Sequence, residues 1–499
     1  MPLRTAFATV LSALSALLLA GCLPIPDVRV PLLVQAPELQ VDPALVEHDT
    51  RWITTPAAPG TPIWLNGTGI RRTHLPGTPG RVVVVAMPGL FSGAAVFDTW
   101  ARQLVASEPG VEVWAVDRRS NALEDREGIR RAIEEDDPQV ALRYYAPGGE
   151  YLPIEPAWVP YMAHWGLAVH LRDLQEVVLA ARAEAEVVLL AGHSLGAGIV
   201  SVYAAARIAP EQGGGIGEDH VDGLILLDGS VGRTGALGRA DERVAIFGIT
   251  LVPDVDDLVS GRAAPFLRGG LGFGQRHVVR TAVAATFARL RPDDLAPAGS
   301  VPYPITNRAL MGIRTDDDYA VTPIFSASVG EAVGARFGGN VTAFVLTGRD
   351  GARSRTVAGV ADDATHVSWS AGDPAREVSD LDDLVAQWTD PDADPAEWYF
   401  PLRLAVDVAQ LDPRLEATSG FVPMDRVVLP ALAIGAGRGV ITNPAGFQSY
   451  VNTRPGAPIA VTVVPGLTHQ DVLSARANPT IPIVLRWLRS EGWIAPRPR

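Results

Sequence analysis

The chain has 499 residues, 47% of them apolar, with a formal charge of −14 and a pI near 5.1. That composition supports a sizeable buried core and excludes a low-complexity or disordered chain. No basic block stands out, which argues against nucleic acid as a partner, and the acidity reads as a solubility feature.

At the N-terminus, Arg4 is followed by an uncharged apolar run from Ala6 to Ala20, too short for a comfortable membrane span. It ends Leu19-Ala20-Gly21-Cys22, which resembles the lipobox of bacterial lipoproteins, where small residues admit the signal peptidase and the cysteine thiol receives the lipid. Cys22 is the only cysteine, so the sequence holds no disulfide framework and no cysteine-based metal site. The resemblance implies a signal peptide over 1–21, lipid attachment at Cys22, and a membrane-anchored lipoprotein of the cell envelope facing the periplasm or exterior. Pro24, Pro26, Pro31, Pro37 and Pro43 make 22–50 a Pro-rich tether.

From Arg51 to His74, short segments separated by Pro-Gly and Asn-Gly signals predict a small antiparallel β entry. Buried strands are predicted at Arg81–Ala86, Val111–Val116, Glu186–Ala191 and Gly223–Gly229, the last with a loop-like exit, with helices at Ala94–Ala106, Leu167–Ala183 and Ala197–Ile208 between them. This alternation predicts an α/β fold with a mostly parallel, doubly wound sheet. It breaks from 229 to 429, where mixed helical and irregular segments include one expected strand at Asn340–Leu346. Strands return at Ala431–Gly435 and Pro458–Val464, followed by a helix over Ile481–Arg489. The expected organisation is a core in two parts, 51–228 and 430–499, interrupted by a large lid insertion at 229–429.

Gly192-His193-Ser194-Leu195-Gly196 reads as a G-x-S-x-G nucleophile elbow, because a strand precedes it and a helix follows. The glycines let strand and helix approach closely around an exposed serine. With Pro88-Gly89-Leu90 after the first long strand and the late His469, residues 81–228 and 430–495 resemble the α/β-hydrolase superfamily, in the style of bacterial lipases and esterases. The resemblance implies Ser194 as nucleophile and His469, on the loop after the last strand, as base. His193 reads as a packing or hydrogen-bonding neighbour. The superfamily's usual acid position, Gly435-Ala436-Gly437-Arg438-Gly439-Val440, holds no carboxylate. Asp228, after the strand that succeeds the elbow helix, matches a minority arrangement and is the expected acid, with Asp425, Asp471 or a carboxylate supplied by the insertion as weaker alternatives. Backbone N–H groups of Leu195 and Leu90 are the expected oxyanion hole, Phe91 being the second choice to Leu90.

Asp117-Arg118-Arg119 reads as a structural ion-pair turn, and Arg438 as a structural partner before a substrate contact. The aromatics Trp369, Trp388, Trp398, Tyr399 and Phe400, with Leu402, read as the insertion's own core before an acyl pocket. No metal or cofactor motif is visible. The expected activity is hydrolysis of a small-molecule or lipid carboxylic ester through an acyl-enzyme on Ser194. An acyltransferase using the same acyl-enzyme, or a non-catalytic lipid-anchored binding protein, are the alternatives.

Overall fold

A computed structural model of the chain describes residues 36–208, 215–229, 244–246, 249–252, 255–268, 274–319, 326–338, 341–342, 353–410 and 420–496. The expected signal peptide, Cys22 and the first part of the tether lie outside the described residues.

Eight strands form one sheet: β1 (Glu47–Thr54), β2 (Gly67–His74), β3 (Val82–Met87), β4 (Val111–Asp117), β5 (Val187–His193), β6 (Gly223–Leu227), β7 (Ala431–Arg438) and β8 (Ile459–Thr468). Their order across the sheet is β1-β2-β4-β3-β5-β6-β7-β8. Neighbours from β4 to β8 are parallel, while β2 runs antiparallel to both β1 and β4. β3 is buried throughout and apolar on both faces, as a central parallel strand must be when both sides of the sheet are covered. Val83, Val85, Leu190 and Leu226 face one apolar cluster, and Val82, Val84, Leu189 and Leu227 the other. Burying each such side chain contributes about 1.5–3 kcal/mol, so the sheet is the fold's main source of stability.

Helix α1 (Asp98–Ser107) covers the second face; α2 (Glu127–Glu134) and α3 (Pro138–Tyr145) follow β4; α4 (Leu167–Glu184) and α5 (Leu195–Ala205) cover the first face. Residues Gly196 to Ala205 of α5 are all buried, which explains why this helix is apolar all round. Between β6 and β7 come α6 (Gln275–Leu290), α7 (Asn307–Thr315), α8 (Leu381–Trp388) and α9 (Leu402–Gln410), and α10 (Thr480–Ser490) closes the second face. The strand order, with a sharp turn after β5, is that of the α/β-hydrolase fold.

β6 and β7 are hydrogen-bonded neighbours, Leu227 opposite Ile434, so the chain between them is an insertion in the sheet. Its core is shared: Tyr144, Tyr151 and Trp165, from the segment after β4, pack in one cluster with Phe266, Phe287, Trp398 and Tyr399. Of the strand expected at Asn340–Leu346, Val341–Thr342 pairs with Arg353–Ser354, and the rest lies outside the described residues. Two boundaries differ in a way that matters for the site. β7 continues past Gly435 to Arg438, and β8 continues past Val464 to Thr468, its chain turning at Gly466 (φ +84°). The Gly-rich ends of both segments read as loops in sequence, yet pairing of Arg438 with Thr468 carries them to the site. No described helix is long and apolar enough to cross a membrane.

Candidate active site

Ser194 sits one residue beyond β5 and caps α5 with φ +57° and ψ −121°. A non-glycine residue held there costs about 1–3 kcal/mol, and such strain persists only where surrounding structure imposes it. The imposition is visible: the Ser194 N–H donates to the Leu227 carbonyl at 3.0 Å, tying the elbow to the end of β6. A Cβ on Gly192 would strike the Gly196 carbonyl oxygen, and one on Gly196 the Met87 carbonyl oxygen. A Cβ on Gly89 would lie 2.9 Å from the Ser194 Cβ, so the turn after β3 packs directly against the serine.

Asp228 follows β6 and His469 follows β8, and the structure brings the two side chains together. His469 Nδ1 and Asp228 Oδ2 are 2.5 Å apart, with both residues buried. Asp228 is itself held at φ +46°, its N–H bonded to the Ile434 carbonyl at 2.7 Å. Three backbone amides complete its carboxylate: Ala436 (3.0 Å) and Ile441 (2.8 Å) on Oδ1, and Val440 (2.8 Å) on Oδ2. Burial alone would raise this carboxyl's pKa. The hydrogen bond and charge of His469, with the Val440 and Ile441 amides, outweigh burial and hold it below the usual aspartate value. The segment that lacks an acid of its own is therefore the anion site for Asp228.

His193 holds His469 from the other side. Its ring lies 4.3 Å from the His469 ring, centroid to centroid, and its Nε2–H donates to the His469 carbonyl at 2.9 Å. Burial first, then the neighbouring His469, lower its pKa to about 3, so it stays neutral at physiological pH. A neutral ring that donates from Nε2 keeps a bare Nδ1, and that atom is buried without a partner.

Leu195 is the first residue of α5, so its N–H is one of the helix's amides without an intrahelical acceptor. Leu90 lies in the turn after β3, followed by Phe91 at φ +59°. Sequence reasoning missed what orders this turn. The buried Arg118 guanidinium donates to the carbonyls of Pro88 (2.5 Å), Gly89 (2.9 Å) and Ser92 (3.1 Å), and pairs with Glu397 at 2.8 Å. With their carbonyls drawn to Arg118, these peptides keep a fixed orientation beside Ser194. Glu397 also accepts from Ser120 Oγ, and its N–H bonds to the Phe91 carbonyl at 2.9 Å. The signal in sequence was a strand-end Asp-Arg-Arg, whose partner lies 279 residues away.

The remaining candidates fall elsewhere. Asp471 does not reach His469: its oxygens accept from Ser328 N–H (2.9 Å), Ser328 Oγ (3.0 Å), Ser379 Oγ (2.7 Å) and Thr468 N–H (2.9 Å). Asp425 is exposed. Arg119 pairs with Asp173, and Arg438 with Asp317, both ion pairs of the kind expected from sequence. Asp316, Asp317 and Glu377 lie close enough together to hold a cation, but Arg438 already supplies the positive charge there. Trp398, Tyr399, Phe400 and Leu402 are buried, and Trp388, Trp398 and Phe400 also line a cleft together with Phe91 and Gln470, the chain neighbours of Leu90 and His469.

No family model matches the sequence, and no curated protein does. Among solved structures, a candidate lipase from Sulfolobus solfataricus is 15% identical with a TM-score of 0.48, covering 91% of this chain and 97% of that one. An epoxide hydrolase from an endophytic Streptomyces is 14% identical with a TM-score of 0.39, covering 89% and 96%. A monoacylglycerol lipase from Paleococcus ferrophilus is 13% identical with a TM-score of 0.34, covering 89% and 99%. None of these similarities bears on substrate or reaction.

Proposed function

We propose that this protein is a serine hydrolase of carboxylic esters, working through an acyl-enzyme on Ser194. The observation that carries the reading is the 2.5 Å contact between His469 Nδ1 and Asp228 Oδ2, beside a serine held at positive φ on the adjoining strand end. A serine hydroxyl is a weak nucleophile until an imidazole takes its proton, and a carboxylate on Nδ1 keeps Nε2 unprotonated for that task. In this reading Ser194 Oγ adds to the ester carbonyl as its proton passes to His469 Nε2. The oxyanion is met by the N–H groups of Leu195 and Leu90. The intermediate collapses, the alcohol leaves with the proton from His469, and acyl-Ser194 remains. Water then loses a proton to His469 and attacks, releasing the acid and restoring Ser194.

A 435–440 segment without a carboxylate would favour the non-catalytic alternative; the amides that this segment directs at Asp228 favour the catalytic reading. The 229–429 insertion acts as a lid over the site, and a lipid on Cys22 anchors the protein to the cell-envelope membrane. A fluorophosphonate probe tests the chemistry: wild-type protein labels and Ser194→Ala does not. A folded wild type that fails to label refutes the hydrolase reading. p-Nitrophenyl esters of increasing chain length then separate lipase from esterase, since activity confined to acetate excludes long acyl chains. Alkyne-palmitate labelling lost in Cys22→Ser tests the anchor.

A further inference from the structure

An open cleft lies next to the turn after β3 and the segment that follows His469. Phe91 and Ser92 of the turn after β3 line one part of it, as does Gln470, the neighbour of His469. Leu267, Val278, Trp388, Trp398 and Phe400 make its walls largely apolar. Arg314, at the C-terminal end of α7, also lines it.

Among the described residues, that arginine differs from the other arginines withdrawn from solvent. Arg71, Arg118, Arg119, Arg126 and Arg438 each meet a carboxylate, as expected where 56 acidic residues outnumber 42 basic ones. Arg314, half-buried, has no ion pair or hydrogen bond among the described residues. The charged group that acts on it is another cation, Arg280 of α6, and burial together with Arg280 lowers its pKa. His277 lines the same wall, and burial with Arg314 and Arg280 lowers its pKa also; an imidazole, neutral or cationic, is no counter-ion for Arg314. Glu397 is the carboxylate in the lining, and Arg118 neutralises it. A guanidinium drawn partly out of water with no counter-ion is costly unless an anion arrives. Its planar fork suits a carboxylate, and one unpaired guanidinium at the wall balances one negative charge.

We propose that this cleft binds an ester substrate whose far end carries a carboxylate, with Arg314 as its counter-ion and the apolar walls holding the chain between. The proposal rests on the hydrolase reading above for the word substrate, and on the cleft alone for anion binding.

Two matched ester pairs test it on the full chain. Mono-p-nitrophenyl glutarate against p-nitrophenyl valerate places the charge on the acyl side, and 6-(butanoyloxy)hexanoate against hexyl butanoate places it on the alcohol side. The expected result is that Arg314→Met lowers kcat/KM roughly 10–100-fold for the charged member of one pair, the scale of one charge-assisted hydrogen bond. Both neutral esters change less than about twofold, and Arg314→Lys recovers part of the loss. Retained turnover of the neutral esters reports that the variant is folded. If wild-type and Arg314→Met proteins handle both charged esters alike, the proposal is overturned while the hydrolase reading stands. Calorimetry with hexanoate on the Ser194→Ala protein gives the converse separation. Binding that disappears in Ser194→Ala/Arg314→Met supports the site even if no ester is turned over. Absence of binding, with no charged-ester preference, overturns it.

Discussion

Asparagine at position 228 is the most informative single change. In the wild type each oxygen of Asp228 faces two donors: Ala436 and Ile441 amides at Oδ1, the Val440 amide and His469 Nδ1 at Oδ2. Asparagine offers one acceptor oxygen and one NH2 group, so two donors lose their acceptor whichever way it is turned. The lower-cost choice keeps the oxygen on Ala436 and Ile441. The NH2 group then faces Val440 and His469, and the imidazole responds by moving its proton to Nε2 and accepting at Nδ1. One buried amide, that of Val440, is left unpaired, which costs about 1–3 kcal/mol. The loss in rate is larger. A histidine protonated at Nε2 cannot take the Ser194 proton, and the same tautomer change in a serine protease lowers kcat about 10⁴-fold. For Asp228→Asn we expect kcat on p-nitrophenyl butyrate to fall roughly 10³–10⁴-fold, with urea denaturation showing the smaller stability loss. A folded variant retaining kcat within about threefold would refute Asp228 as the group that orients His469.

Gly439→Ala places a methyl group against Asp228 Oδ2, so the carboxylate must move; kcat should drop at least about tenfold, measured with slower fluorophosphonate labelling as the companion readout. Arg118→Ala leaves Glu397 charged and unpaired in a dry site, a change that costs about 3–5 kcal/mol. Urea denaturation should find Arg118→Ala/Glu397→Ala more stable than Arg118→Ala alone, and the reverse order would deny that the pair is coupled. Glu377 is buried, and burial, then Asp317 and Asp318, raises its pKa to about 7. Its unfolded state gives up the proton first, so wild-type stability falls as pH rises from the ordinary glutamate range towards 7 and stays reduced above it. Glu377→Gln should therefore be more stable than wild type at pH 8 by about 1–3 kcal/mol, a gain that shrinks to nothing below about pH 4.5. Thermal melts across that range check both the sign and the window.

The parts of this fold that were legible are those where side chains carry the signal. Val82–Met87 and Gly223–Leu227 are apolar because helices cover both faces, and the elbow glycines are needed because strand meets helix at contact distance. Asp228 was singled out from the position of its strand, and the structure sets it against His469. What holds it was not legible, because amides of Ala436, Val440 and Ile441 do the work and every residue but proline has one. The turn clamp was hidden differently: Arg118 was visible, but Glu397 comes from an insertion whose punctuated sequence carries little periodicity. Arg314 was indistinguishable from any helical arginine until its surroundings among the described residues showed another cation, Arg280, and no acid.

The way Asp228 is held also sets what variation the site can tolerate. At positions 436, 440 and 441 the requirement is a hydrogen on the backbone nitrogen, a condition that nineteen of the twenty amino acids meet. Drift through these positions is limited by fit in the surrounding core, with Ala436 and Ile441 buried and Val440 half-buried, and proline is the one substitution that removes a ligand from the carboxylate. Related chains should then share this anchoring with a glycine at 439 and little else in common at 436, 440 and 441, where the constraint would surface in an alignment as columns without proline.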